Sequence, residues 1–516
     1  MSIEFLQRHG FSEDPFASTN AADEPSIGSY FVAPPFFPAV VGNPSAPKSN
    51  VVFAPRGGGK TAQKIMIEQA SAIAEDFLCV AYDRFPTDKI NSPKQASAEY
   101  HLRNISRIIL VAIFLKFEDD PSLGWRLNEF ERRLLVNLSR ELLGNLSSEQ
   151  FKDALGAIKS LGDKTIDIWN KYGGVIVTLV NAVAAKFGLD KVEVAKGTQA
   201  QDETIRFKFE ELVKFANKIG YKSVYILVDR ADELTITAEN ATKVFDFLSS
   251  ILIDLPLLET PGVAFKFFLW DQMKDAYHQS GGRPDRLIEY ELEWQAPELE
   301  TVLFRRIKTY SGGKIKSFND LLSGDAPYDV HRLITYFAHS SPRDMIRICK
   351  KIVDEHTKTG VYNDKIEFRT VKSAILQFST ERARELYGEH FADLRKIREL
   401  DFTIPTLAND VFRVSQQAAR SKVQKWQDSG AVVRIGDVPN PGNRPLYLFG
   451  IVDPRLALAV LGDSTLEDAV EEFLITCPLC RNLRIRWTAQ DITCPDCQGT
   501  FKAADAKALA AECALP

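Results

Sequence analysis

Val51–Ala62 reads VVFAPRGGGKTA. Three apolar residues make a short buried strand, Pro55-Arg56-Gly57-Gly58-Gly59 makes a glycine-rich turn, and Lys60-Thr61 opens the helix-forming run AQKIMIEQASAIAED. Strand, glycine turn and helix follow in the order that a phosphate-binding loop needs. Glycines let backbone N–H groups close around phosphate oxygens, and the helix N-terminus adds the positive end of its dipole. The spacing is a small residue, four of any kind, then Gly-Lys-Thr, with Ala54 first. In such a loop the lysine reaches the β- and γ-phosphates and the threonine hydroxyl holds Mg²⁺. Ala54, Pro55, Arg56, Gly57, Gly58, Gly59, Lys60 and Thr61 are therefore candidate nucleotide contacts, and ATP is the expected ligand.

The rest of such a site belongs on another strand downstream. Ser223–Leu234 reads SVYILVDRADEL. Val224 to Val228 suit a strand buried on both faces of a parallel sheet. Asp229 ends it, where ligands bind in open α/β sheets. A carboxylate there can hold Mg²⁺ together with Thr61. Asp232 and Glu233 follow within one turn, and either can orient an attacking water. The expected class is an α/β P-loop NTPase core.

The DRADEL run resembles the Walker B segment of STAND and NACHT-type signalling ATPases, which carry Asp-x-x-Asp-Glu. The resemblance implies Asp229 for Mg²⁺ and Glu233 as catalytic base. AAA+ proteins more often place Glu directly after the Asp, where this chain has Arg230. Strand AFKFFLW (264–270) ends at Asp271, the sensor 1 place of AAA+-like ATPases. Arg283 and Arg286, in GGRPDRLIEYELEW, are arginine-finger candidates for a neighbouring protomer's nucleotide. HSSPRDMIRICKKIVDEH resembles the sensor 2 segment of AAA+ and origin-initiator ATPases. That likeness makes Arg343 the nucleotide contact, with Arg347 as fallback.

The chain has 516 residues, enough for several domains, with 45% hydrophobic and 26% charged residues and a net charge of −5. Nothing global advertises nucleic acid or an anionic membrane. The start, MSIEFLQRHGFSEDPF, reads as no signal peptide. The longest apolar stretch, 175–187, is interrupted by Thr178, Asn181 and Lys186, and is expected to be a buried helix rather than a membrane span. Four of seven cysteines sit in two CxxC pairs, which suits a reducing cytoplasm and a metal site. The expected location is cytoplasmic, away from membranes.

Residues 1–50, with the aromatic cluster YFVAPPFFPAVVG, are expected to pack on the ATPase core of 51–296. Phe31, Phe36 and Phe37 stand either beside an adenine or along the sheet edge. Lys60 and Asp229 are 169 positions apart, and about 100–200 reads as a helical insertion, with apolar spacing in ERRLLVNLSRELLGNL and FKDALGAIKSLGDKTIDIW. Some STAND-related ATPases carry a membrane insertion here, for which this one lacks the length. A helix is expected over 238–253, and residues 297–380 read as a helical lid.

Residues 385–460 read as a winged helix-turn-helix. IPTLANDVF is a short helix, Arg413-Val414 the turn, and Ser415 caps QQAARSKVQKWQDSG, which closes at Gly430. AVVRIG and RPLYLFGIV, joined by DVPNPGN, make a two-stranded wing. Ala419, Val423 and Trp426 share the core face. Gln416, Gln417, Arg420 and Lys422 fall outside it as candidate double-stranded DNA contacts. Residues 395–455 hold ten Lys/Arg and six Asp/Glu, a net of +4. Winged helices also dock proteins, so both partners stay open. Phosphate-loop core, helical lid and winged helix in this order resemble the archaeal and eukaryotic origin-recognition initiators.

CPLC-x13-CPDC places Cys477, Cys480, Cys494 and Cys497 as four thiolates for one structural Zn²⁺ in a zinc ribbon spanning 470–505. Two functions follow from these modules. One is an ATP-dependent, slowly hydrolysing switch that couples nucleotide state to self-assembly and to DNA or a protein effector. Bacterial proteins resembling this group often accompany defence or mobile-element systems. The alternative is an initiator-like, ATP-controlled DNA-binding adaptor or loader.

Overall fold

A computed structural model describes residues 3–515, apart from 89, 145, 159–166, 168, 172–175, 187–203, 238–239, 359–364, 442–443, 463 and 490. The chain divides into two compact units, Ala33–Leu292 and Met1–Val32 with Glu293–Pro516.

The first unit is built on five parallel strands: β1 (Asn50–Ala54), β2 (Leu78–Tyr82), β3 (Val224–Val228), β4 (Val263–Trp270) and β5 (Ile288–Glu291). Their order across the sheet is β2-β3-β4-β1-β5. The first four strands are buried along their whole length, which is why they read as unbroken apolar runs and not as alternating ones. Because β4 lies between β1 and β3, its carboxyl end stands between the turn after β1 and Asp229 after β3.

The expected helical insertion follows β2 as helices Ala98–Asp119, Glu129–Leu143, Ser148–Gly156, Ile176–Lys186 and Ile205–Lys218. Helix Ala98–Asp119 is buried on most of its surface, and its His101 joins Tyr82 Oη (2.9 Å) and the Phe247 carbonyl (2.8 Å). Burial pulls the His101 imidazole down to about 4, so the ring is a neutral structural group. Arg107 donates to the Leu142 carbonyl at 2.9 Å, and Lys208 pairs with Glu141 at 2.7 Å. The second half of the expected helix FKDALGAIKSLGDKTIDIW lies largely outside the described residues, as do both ends of the run 175–187. The helix expected over 238–253 is Ala241–Leu252, with 238–239 outside. Among the described residues no helix is long and apolar enough to cross a membrane.

Packing on the ATPase core was expected for residues 1–50; residues from 33 on belong to that unit, whereas the stretch up to Val32 belongs to the second unit, against helix Ala296–Tyr310. Arg306, 2% exposed, donates to Glu24 Oε1 at 2.5 Å and Tyr30 Oη at 2.6 Å, and Tyr310 Oη reaches Glu24 at 2.5 Å. A buried arginine needs such a full set of acceptors. Phe31 belongs to this unit, whereas Phe36 stacks on Tyr290 in the first, with ring centres 5.2 Å apart. The region 297–380, expected to be a helical lid, continues with helices Val330–Phe337 and Pro342–Lys358 and the start of Phe368–Tyr387.

A winged-helix arrangement follows. Helix Ile404–Thr406 runs into a π-turn over Leu407–Val411, Arg413 turns in the left-handed region, and Ser415 caps helix Gln416–Asp428. The sheet has three strands, β6 (Asp401–Thr403), β7 (Val432–Val438) and β8 (Leu446–Ile451), in the order β6-β8-β7. Only the last two were expected, since three residues are too few to show a two-residue period. Of the loop DVPNPGN, residues 442–443 lie outside the described set. Two further hairpins, β9 (Leu474–Thr476) with β10 (Leu483–Ile485) and β11 (Asp491–Thr493) with β12 (Thr500–Lys502), carry the four CxxC cysteines in their turns.

Candidate functional site

The turn after β1 is a tight glycine-rich loop. Gly57 and Gly59 have φ of 82° and 97°, where a side chain would be strained. A Cβ on Gly58 would stand 3.0 Å from the Pro55 carbonyl oxygen and 3.3 Å from Ala54 Cβ. The small residue at 54 thus leaves room for the turn to fold back. Lys60 is 8% exposed, and its Nζ donates to the carbonyls of Ala54 (2.9 Å) and Pro55 (3.2 Å). These bonds hold the ammonium over the loop.

Thr61 Oγ1 donates to Asp229 Oδ2 at 2.9 Å. The two residues are 168 positions apart in sequence, so the fold itself brings the expected Mg²⁺ ligands together. Asp229 is 2% exposed, and its Oδ1 accepts the Arg230 N–H at 2.9 Å. Burial pushes its carboxyl up, while Lys64, the Thr61 hydroxyl and Lys60 pull it down. A hydroxyl and a carboxylate oxygen at hydrogen-bond distance form a hard-oxygen donor set that fits Mg²⁺.

The other expected acids are placed less evenly. Arg56 donates to Asp232 Oδ2 at 3.1 Å and to the Asp232 carbonyl at 3.0 Å, and its guanidinium lies 4.4 Å from the Trp270 ring centre. Asp232 is thus a partner of the loop arginine. The Glu233 side chain is 63% exposed and stands 3.9 Å from Arg230 Nε. Asp271 opens the turn after β4, accepts the Gln272 N–H at 2.8 Å, and feels the charge of Lys60. Sequence reasoning assigned no role to Lys64 or Asp83. Lys64, 3% exposed, pairs with Asp83 at the end of β2 and with Glu68 at 3.4 Å. The available signal was an Asp closing β2 just as Asp229 closes β3.

The arginine candidates each hold a carboxylate of their own unit. Arg283 pairs with Asp285 at 2.7 Å and Arg286 with Glu259 at 2.5 Å, all four side chains well exposed. Arg343 is exposed at the start of helix Pro342–Lys358, in the other unit from the phosphate loop. Its fallback Arg347 is engaged with Glu385 at 2.6 Å and with Asp344 at 3.5 Å.

On helix Gln416–Asp428 the residues Ala419, Val423 and Trp426 are buried, while Gln416, Gln417 and Arg420 are exposed. Lys422 departs from the outward face expected of it. Its ammonium pairs with Asp393 and lies 5.1 Å from the Phe412 ring centre, because the long stem leans back over the apolar seam. Exposed Arg434 stacks on Tyr447 in the wing, 3.7 Å from the ring centre.

The four cysteine sulfurs lie within 4.8 Å of one another. Cys477–Cys497 and Cys480–Cys494 are 3.8 and 3.7 Å apart. Thiolates about 2.3 Å from a tetrahedral zinc stand about 3.8 Å apart, so the spacing fits Zn²⁺. The two knuckles repeat one conformation: Arg481 and Gln498, each just after the second cysteine, have φ of 59° and 57°. Arg484, 1% exposed, donates to Cys494 Sγ at 3.2 Å, the kind of support an anionic thiolate cluster needs.

No family model and no curated protein matches this chain. Among solved structures it is similar to the Aeropyrum pernix ORC1 protein in complex with DNA, at 12% identity and a TM-score of 0.35 over 83% of this chain and 89% of that one. It is similar also to the Aeropyrum pernix ORC2 protein in its ADPNP–ADP complexes, at 11% identity and a TM-score of 0.37 over 85% and 96%. Cdc6p from Pyrobaculum aerophilum is similar at 10% identity and a TM-score of 0.32 over 85% and 97%. At such scores the site's own geometry has to carry its function.

Proposed function

We propose that this chain binds ATP with Mg²⁺, hydrolyses it slowly, and uses its nucleotide state to control self-assembly and the engagement of DNA or a protein effector. The observation that carries the reading is the 2.9 Å bond from Thr61 to Asp229, beside a glycine loop that holds Lys60 in place. The backbone N–H groups of the loop and Lys60 would take the phosphates. Thr61 and Asp229 would hold Mg²⁺, which supplies charge neutralisation at the transferred phosphoryl group. Asp271 would contact the γ-phosphate edge. Arg343, or Arg283 or Arg286 from a neighbouring copy, would add positive charge. The zinc ribbon, with Cys477, Cys480, Cys494 and Cys497 around Zn²⁺, would serve as a docking module beside the winged helix. A defence or mobile-element setting belongs to this reading. Phosphate release and light scattering, each with and without ATP–Mg²⁺, test it. Absence of both turnover and ATP-dependent assembly would remove the switch.

The alternative, an initiator-like ATP-controlled DNA-binding adaptor, is favoured by one observation. Gln416, Gln417 and Arg420 stand exposed on one helix of a winged-helix arrangement, where such a helix enters the major groove. Replacing Arg420 with Glu is expected to weaken DNA binding and to flatten the salt dependence by about one unit per lost phosphate contact. Lys422→Glu is expected to act chiefly by breaking its pair with Asp393, so it serves as the folding control. A gel-shift titration over salt concentration reads both. Wild-type protein that binds no DNA at low salt would make this surface a protein-docking face.

A further inference from the structure

Of the two acids expected to activate water, one is paired and one is open. Asp232 is bound by Arg56, and the Glu233 side chain is largely in solvent. A third carboxylate, less exposed than Glu233, closes the neighbouring strand. Tyr82 on β2 is the register partner of Val228 on β3, and the Asp229 N–H bonds the Tyr82 carbonyl at 3.4 Å. Asp83 and Asp229 therefore leave adjacent strand ends at the same level of the sheet. One helix serves both. Thr61 and Lys64, three residues apart and so on one helical face, reach Asp229 and Asp83 respectively. The Asp83 side chain is only 15% exposed. Burial pulls the Lys64 ammonium down, but Glu68, Asp83 and Asp229 outweigh it and hold it charged. A fixed buried cation bonded to Asp83 locks the rotamer of that carboxylate.

On the ATPase reading above, we infer that Asp83 is the carboxylate that orients the attacking water, with Lys64 as its positioning residue. The water oxygen forms a bond to the γ-phosphorus while the bond from that phosphorus to the bridging oxygen of ADP breaks. The water proton passes to the Asp83 carboxylate and then to solvent, leaving ADP and inorganic phosphate. Asp229 remains with Thr61 throughout.

The test compares full-length Asp83→Asn, Asp83→Glu, Glu233→Gln and Lys60→Ala with the wild type. Each is measured for ATP affinity by calorimetry in Mg²⁺, for phosphate release, and for thermal unfolding. Asparagine keeps an oxygen for Lys64, and Glu68 still balances that charge, so Asp83→Asn is expected to fold. It is expected to bind ATP within about threefold of wild type and to lose about 100-fold or more in turnover. Asp83→Glu keeps the charge but displaces it, and is expected to bind ATP normally and turn over about tenfold more slowly, which keeps the assignment testable if the asparagine variant unfolds. Asp83→Asn turning over like wild type, or Glu233→Gln falling 100-fold, overturns the role of Asp83 while Lys60→Ala still reports a working site. Lys60→Ala binding and hydrolysing ATP like wild type, or a wild type that releases no phosphate, overturns the underlying ATPase reading and the role of Asp83 with it.

Discussion

Lys60→Ala is expected to abolish tight ATP binding while leaving the fold intact. In the structure Lys60 Nζ is held by two main-chain carbonyls of its own loop, 2.9 and 3.2 Å away. Ala54 is buried and Pro55 half-buried, so water reaches their carbonyls through the space that the side chain vacates. The triphosphate has no such replacement. Removing one partner of a desolvated, hydrogen-bonded charge pair costs about 2–5 kcal/mol, and 1.4 kcal/mol is tenfold in affinity. The loss should exceed about 30-fold and is read directly by calorimetric titration with ATP–Mg²⁺. The thermal midpoint without nucleotide should barely move, because alanine suits a helix start and the glycine backbone is unchanged. An alanine variant that binds ATP like wild type would mean that the loop does not hold phosphates.

The second large effect is expected at the zinc ribbon. Purified protein should carry one zinc per chain, and Cys477→Ser should lose it. Each ribbon strand is only three residues long, so the hairpins have little core of their own. Structural zinc contributes about 10–16 kcal/mol of apparent binding free energy in small modules at neutral pH. Without it the buried Arg484 loses the thiolate beside it. The damage should spread locally. Trp487, just beyond β10, donates to the Ile451 carbonyl at 2.9 Å, and a Cβ on Gly450 would fall 2.7 Å from its indole nitrogen. The ribbon is thus seated on β8 of the winged-helix sheet. Cys477→Ser should therefore raise tryptophan exposure and weaken any DNA binding. ATP affinity should persist, because Ala54 to Thr61, Asp229 and Asp271 all belong to the other compact unit. Metal analysis together with fluorescence decides the matter. A zinc content near zero in folded protein under reducing conditions would refute it.

Much of the candidate site was legible because its signals are local. The Gly-Gly-Gly-Lys-Thr run needs particular backbone angles over a few residues, and Gly57 and Gly59 do take positive φ. The CxxC pairs carry their own spacing, and the sulfurs stand at the separations of a tetrahedron. The core face Ala419, Val423 and Trp426 follows from 3.6-residue periodicity alone.

Other features were not local. Helix Lys60–Ala74 buries Gln63, Lys64, Glu68 and Ser71 and leaves Ile73 85% exposed, against what apolar patterning would place inside. That orientation comes from the acids at two neighbouring strand ends, one 19 and one 168 positions away along the chain. The pairing of Arg56 with Asp232, across 176 positions, has the same origin. Lys422 looked free on a helical wheel, but the wheel does not contain Asp393 or Phe412. By itself the sequence determined where the glycine-rich loop, the helix caps and the thiolate cluster lie, since each is set by neighbours within a turn or a loop. The order β2-β3-β4-β1-β5 decided which carboxylates meet that chemistry, because strand order is set by long-range packing of apolar strands that look alike in sequence.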